Sequence, residues 1–185
     1  AVTLVKATPT VTLAVNNSPV TYDATAKSAT VAQSGASTPG AVANILTGGA
    51  ADQTTAGTYA VTANFVPTDT TNYNTITAQS AGNFVIDKAN QTAVTLAGPA
   101  SATFLTTPTL TIGGGSGTGA VTFDVGASTG CTVSGNTLTV VSVSGTCDVT
   151  ATKAADTNYN VASSAATAVT LVKATPTVTL AVNNS

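Results

Sequence analysis

Residues 1–18 read AVTLVKATPTVTLAVNNS, and residues 168–185 repeat the same eighteen letters. Eighteen identities at an offset of 167 residues are not chance, and identity without drift points to a recently duplicated array. The chain therefore reads as one full period plus the opening of the next. Internal repetition at a fixed period is settled first because each repeat is a structural unit, and this decides the architecture.

A fainter repeat lies inside the period. Lys-Ala-x-x-Thr occurs at Lys6–Thr10, Lys88–Thr92 and Lys173–Thr177, with the lysines 82 and 85 residues apart. Gly57-Thr58-Tyr59-Ala60-Val61-Thr62-Ala63 keeps step with Gly145-Thr146-Cys147-Asp148-Val149-Thr150-Ala151, and Asn72-Tyr73-Asn74 with Asn158-Tyr159-Asn160. One period is thus two diverged copies of one module. The boundaries expected are 1–6 for the end of a preceding module, 7–88 and 89–173 for two modules, and 174–185 for the start of the next repeat.

Alternation sets the secondary structure. Val11, Leu13 and Val15 face one way, and Thr10, Thr12 and Ala14 the other. The same two-residue rhythm runs through Tyr59-Val61-Ala63-Phe65, Leu110-Ile112, Val121-Phe123-Val125, Leu138-Val140 and Val169-Leu171. That period describes a strand with one face on a core. Val and Thr are β-branched and suit a pleated sheet, while Glu, Met and Arg, all strong helix formers, are absent. Turn residues separate the strands at Asn16–Pro19, Gly48-Gly49, Gly113–Gly117, Ser134-Gly135-Asn136 and Ser144-Gly145. Many short strands in about 85 residues predict an all-β fold of two tandem two-sheet sandwiches.

Charge excludes some partners. Charged residues make up 6% of the chain, against roughly 25% in ordinary soluble domains. A net charge of -2 gives no basic field for nucleic acid or an anionic membrane. No apolar run approaches the ~18 residues needed for a membrane helix, so direct membrane insertion is not expected. With 43% hydrophobic residues and little charge, the chain lacks the composition of a disordered one.

These residues resemble the bacterial Ig-like repeat modules of very large cell-surface and secreted proteins. Tyr22-Asp23-Ala24-Thr25-Ala26-Lys27-Ser28-Ala29 looks like the Tyr-Asp-Gly-x-x-Lys signature of the MBG (YDG) type, departing at Ala24 where that type carries Gly. Ala56–Ala63 looks like the late central strand of the same module. The second module resembles a related Ig-like type through Gly113–Gly119, Gly130-Cys131-Thr132-Val133 and Ala155–Asn160. The resemblance implies two tandem immunoglobulin-like modules in an extended array, extracellular and at the cell surface. It implies a stalk or filament, with no catalytic residues and no cofactor to carry over. The expected partners are neighbouring copies of the repeat, with lateral self-association into fibres favoured by the nearly uncharged faces. The alternative is an adhesin whose modules themselves bind a glycan or host protein.

Each chemistry-bearing motif has a structural reading beside it. Cys131 and Cys147 are the only cysteines; in an exported chain they read as an intramodule disulfide bridging the strands around Thr137–Val143, the competing reading being two buried thiols. A zinc or redox site needs another spacing, and the chain has no His. Asp156-Thr157-Asn158-Tyr159-Asn160 has the spacing that opens a calcium loop. Val161 and Thr167 stand where that loop wants Gly and Glu, so a side-chain-to-backbone turn is preferred. Gly113–Gly119 leads into an alternating segment, not a helix, and reads as a flexible connection between strands, not a phosphate loop. Lys27 four residues after Asp23 suggests solvated turn charges more than an isopeptide cross-link. The boundary lysines Lys6, Lys88 and Lys173 read as charges that keep the junctions soluble and unpaired. Nothing has the pattern of a catalytic nucleophile with its base.

Overall fold

The computed structural model describes residues 1–181; the last four residues of the second repeat copy, 182–185, lie outside them. The structure is all β, with no helical residue among those described. It divides into two compact units, Ala1–Ala89 and Asn90–Ser185, each with its own core.

The first unit contains β1 (Thr12–Val15), β2 (Val20–Thr21), β3 (Val31–Ser34), β4 (Gly40–Thr47), β5 (Gly57–Pro67) and β6 (Ile76–Asp87). β1 and β3 form one antiparallel pair, and the other sheet runs β2-β6-β5-β4. Alternation along β5 has the face expected: Val61, Ala63 and Phe65 are fully buried, while Thr58 and Ala60 are exposed. Leu13 from β1 joins Val61, Ala63, Ala81, Phe84 and Ile86 in one cluster, so the small sheet closes over the large one.

The two long strands that flank β5 escape the alternation signal. β4 and β6 contain left-handed residues that interrupt the period: Asn44 at φ 49°, Ala78 at φ 52° and Gly82 at φ 93°. Register shifts fall beside them, between Ala43 and Leu46 in β4, and opposite Val61/Thr62 and Ala63/Phe65 along β5–β6. Each such irregularity resets which side chains face the core, so a strict period-two reading loses the strand. Asn64 supports one of them, its side-chain carbonyl accepting the Ala78 N–H at 2.9 Å.

The second unit contains β7 (Thr95–Ala97), β8 (Ser101–Thr103), β9 (Thr111–Gly113), β10 (Val121–Asp124), β11 (Cys131–Ser134), β12 (Thr137–Val140), β13 (Asp148–Lys153), β14 (Ala162–Ser163), β15 (Thr167–Ala168) and β16 (Thr170–Val172). Its sheets are small: β10-β13-β14 with β15 also on β13, and the pairs β11–β12, β7–β9 and β8–β16. Leu110, Leu138, Val140, Val149 and Val169 pack around the two cysteines. Val121, expected on the core face, is instead partly exposed at the start of β10, while Phe123 and Val125 pack inward.

Both units share a parallel end pairing. β2 runs parallel to the end of β6, and β8 runs parallel to β16. All other strand pairs are antiparallel.

Candidate functional site

The residues singled out in the sequence fall into three structural arrangements, each satisfied by partners within its own unit. The first is the disulfide. Cys131 begins β11 and Cys147 immediately precedes β13, with Cα atoms 5.5 Å apart and the two sulfurs bonded. Both cysteines are buried in the second core, so the bond joins strands through the interior. The segment it closes contains the β11–β12 hairpin, the strands expected from sequence. At the position aligned with Cys147, the first unit has Tyr59. Its ring packs on the first unit's own core, and its hydroxyl donates to the Thr55 carbonyl at 2.9 Å.

The second arrangement is the loop around Asp156. One carboxylate oxygen accepts the backbone N–H groups of Asn158 and Tyr159, both at 2.8 Å. The other accepts the Thr118 N–H at 2.6 Å and its hydroxyl at 3.2 Å. Thr118 lies in the glycine-rich segment, so Asp156 ties that segment to its own turn. Donation by the Thr118 N–H, then by Asn158, holds the carboxyl down at about 2. Gln91 closes the arrangement from the other side. Its amide nitrogen donates to the carbonyls of Asn160 at 2.8 Å and Ala154 at 3.1 Å, and its oxygen accepts the Gly117 N–H at 3.3 Å.

The carboxylate oxygens are thus occupied by N–H and O–H donors, the geometry of an Asx-type turn and the reverse of a cation's ligand shell. Asp69 makes the corresponding turn in the first unit despite the extra residue. It accepts the Thr71 and Asn72 N–H groups at 3.0 and 3.1 Å, and the Asn72 side-chain amide at 2.8 Å. The Asn72 side chain, followed by its backbone N–H, lowers the Asp69 pKa.

The glycine-rich segment departs from its sequence reading. It is not a loose connection but a closely packed one. A Cβ on Gly114, whose φ is +73°, would lie 1.9 Å from the Ala93 carbonyl oxygen, and one on Gly119 2.0 Å from that of Ala154. Glycine is required there because backbone approaches backbone.

The third arrangement is the turn at Asp23. The Lys27 ammonium donates to the Asp23 carboxylate at 2.6 Å and to the Thr25 hydroxyl at 2.9 Å, and Thr25 N–H donates to Asp23 at 3.0 Å. The Lys27 partner, with Thr25, holds the Asp23 carboxyl down at about 2. The lysine amine is therefore engaged as a donor within this turn by Asp23 and Thr25. Ala24 sits in this turn at φ 64°, the left-handed conformation that glycine takes without strain. Lys6, one of the boundary lysines, donates to the Thr70 carbonyl at 2.7 Å.

Two residues that the sequence reading passed over matter here. Gln91 is buried where the first module has Pro9, and a polar residue at a core-facing register was the available signal. Leu105 stands exposed at φ 65°, which no alternation pattern reveals. Among the described residues, no three or more Cys or Asp converge as a metal would need. Comparison of the chain with protein-family models, curated proteins and solved structures finds no match.

Proposed function

We propose that the chain is one period of a non-catalytic structural repeat, a pair of immunoglobulin-like sandwiches in a long bacterial extracellular stalk or filament. One observation carries this reading. The duplicated eighteen-residue sequence takes complementary roles in its two copies. In the second copy, Val169 is 4% exposed and Thr170–Val172 is β16, the closing strand of a unit. In the first copy, the same letters leave Val2 89% exposed and unpaired. Further along, the roles reverse. Leu13 is 6% exposed in β1, the opening strand of a unit, while its counterpart Leu180 is 88% exposed. A segment that closes one unit with its first half and opens another with its second half is a junction, and an array supplies both neighbours.

The remaining features support a spacer. The chemistry-bearing groups serve turns and a disulfide, and a disulfide persists in an oxidising, extracellular setting. The reading as a glycan- or host-binding adhesin module draws less support, since Phe65 and Phe84 are wholly buried and the Tyr59 hydroxyl is tied to Thr55. The partners proposed are preceding and following copies of the repeat. Lateral association into fibres is opposed by little charge.

Electron microscopy of the native assembly tests this function. The longest strand, β6, has 12 residues, which at ~3.3 Å per residue gives roughly 40 Å per unit and about 80 Å per period. Thin beaded threads with that axial repeat are expected; compact particles without an axial repeat would overturn the reading. Reproducible glycan-array binding that is lost on substitution of Tyr73 or Tyr159 would favour the adhesin instead.

A further inference from the structure

The chain leaves its two units through equivalent pieces. In the first, Tyr22 N–H donates to the Asp87 carbonyl at 2.9 Å, just past the parallel β2–β6 pairing. In the second, Phe104 N–H donates to the Val172 carbonyl at 2.8 Å, just past the parallel β8–β16 pairing. Tyr22 thus matches Phe104, and Asp87-Lys88 matches Val172-Lys173. Beyond each aromatic the chain turns on one left-handed residue, Ala24 at φ 64° and Leu105 at φ 65°. Each stands five residues before a buried one, Ala29 and Leu110.

The chemistry around these matching turns is opposite. Ala24 is ringed by the Asp23–Thr25–Lys27 network, which water solvates. Leu105 is 71% exposed, with Val141 and Val172 partly exposed nearby. Phe104, Val141, Val143, Lys173 and Ala174 line an adjoining cavity of about 490 Å³. A leucine here occupies a backbone position strained for any side chain and also presents a large apolar group to water. Since Ala24 has the same backbone shape, what is particular to the second unit is the large apolar group placed on that turn in water.

The chain itself says what covers it. Lys173 and Ala174 form one wall of the cavity, and from there the sequence repeats the stretch that begins the first unit. In that unit, Ala7 bridges Tyr73, its N–H donating to the Asn72 carbonyl at 2.8 Å and its carbonyl accepting the Asn74 N–H at 2.8 Å. Lys6 reaches the Thr70 carbonyl. Moved along by one period, the same bonds would join Lys173 and Ala174 to the 69–74 loop of a following copy, at the lip of the cavity.

We propose that the apolar face formed by Phe104, Leu105, Val141 and Val172 is the seat for the 69–74 loop of the following copy's first unit, which stiffens the junction between periods. This rests on the repeat reading above and adds the surface that would set the array's stiffness.

The test compares the 185-residue chain with one continued through a further copy of residues 19–89, which completes the next first unit. On extension, relaxation of the Leu105 methyls by a soluble paramagnetic probe falls severalfold, and the second unit's thermal midpoint rises by several degrees. Leu105→Gly raises that midpoint in the 185-residue chain, where it only relieves strain, and lowers it in the extended chain, where it removes the seat. Leu105→Asn, which also tolerates the left-handed turn, repeats the reversal should the glycine variant fold poorly. If the appended unit folds but Leu105 stays as exposed, or the substitution acts with the same sign in both chains, the docking proposal falls and the repeat reading stands. If the appended residues do not fold, both fall.

Discussion

The first unit holds together through long strands and the second through a covalent bond. β5 and β6 have 11 and 12 residues and pair along most of their length, whereas no strand of the second unit exceeds the six of β13. The second unit compensates with the Cys131–Cys147 bond in its core and with the glycine segment clamped by Asp156 and Gln91. Units of this size bury a limited core, so ladder length and cross-links substitute for one another. The comparison teaches that two compact units of one chain can reach a β fold by different means, and that alignment by sequence landmarks hides which means each uses.

The sharpest way to break this comparison is to empty the first core. Phe84 is fully buried there, and Phe84→Ala should cost about 3–5 kcal/mol, lowering the first unit's urea midpoint and leaving the second's unchanged. Loss by both units together would show that they do not unfold independently. Next in size is the disulfide. Replacing Cys131 and Cys147 with Ala should remove about 3 kcal/mol from the second unit alone, since the bond closes a segment with a sequence separation of 16. Native-state hydrogen exchange with residue resolution assigns the loss; equal loss of protection in β5 and β6 would refute it.

A smaller gain is expected in the other direction. Ala24→Gly removes a Cβ from a left-handed residue and should stabilise the first unit by roughly 0.5–1 kcal/mol, after the greater freedom glycine has when unfolded is deducted. A destabilised first unit in thermal unfolding would contradict the turn geometry.

The least effect is expected from acid. Asp23 and Asp156 each titrate at about 2 in the folded chain, below their usual 3.8. Their contribution is complete above about pH 4 and is lost as the pH falls through about 2. Both groups lie at the surface, so the loss is screened and modest. Asp156→Asn should flatten the acid limb of the second unit's stability profile and leave that of the first unit as it was. An unchanged limb would mean that Asp156 does not hold the glycine segment.

Much of the fold is legible in the residues because the strand period is local. Whether Val61, Ala63 and Phe65 share a face follows from spacing alone, and the structure buries all three. The cysteine pair was legible because only two cysteines exist. β4 and β6 were not, because left-handed residues inside them break the period, and a bulge is fixed by the partner strand. The packing of Gly114 and Gly119 was also hidden. Ala93 and Ala154, whose carbonyl oxygens crowd them, are remote in sequence, so a glycine run looked like slack.

The duplicated segment marks the division most clearly. By itself the sequence determined that the chain is β, that it repeats, and where the repeat falls, because these depend on composition and spacing within a few residues. Only the tertiary structure decided which core each half of that segment serves: Leu13 is buried in the first unit's cluster and Val169 in the second's. The physical reason is that a strand does not complete its own hydrogen bonds or cover its own apolar face. Both come from a neighbour elsewhere in the chain, which no local run of letters contains.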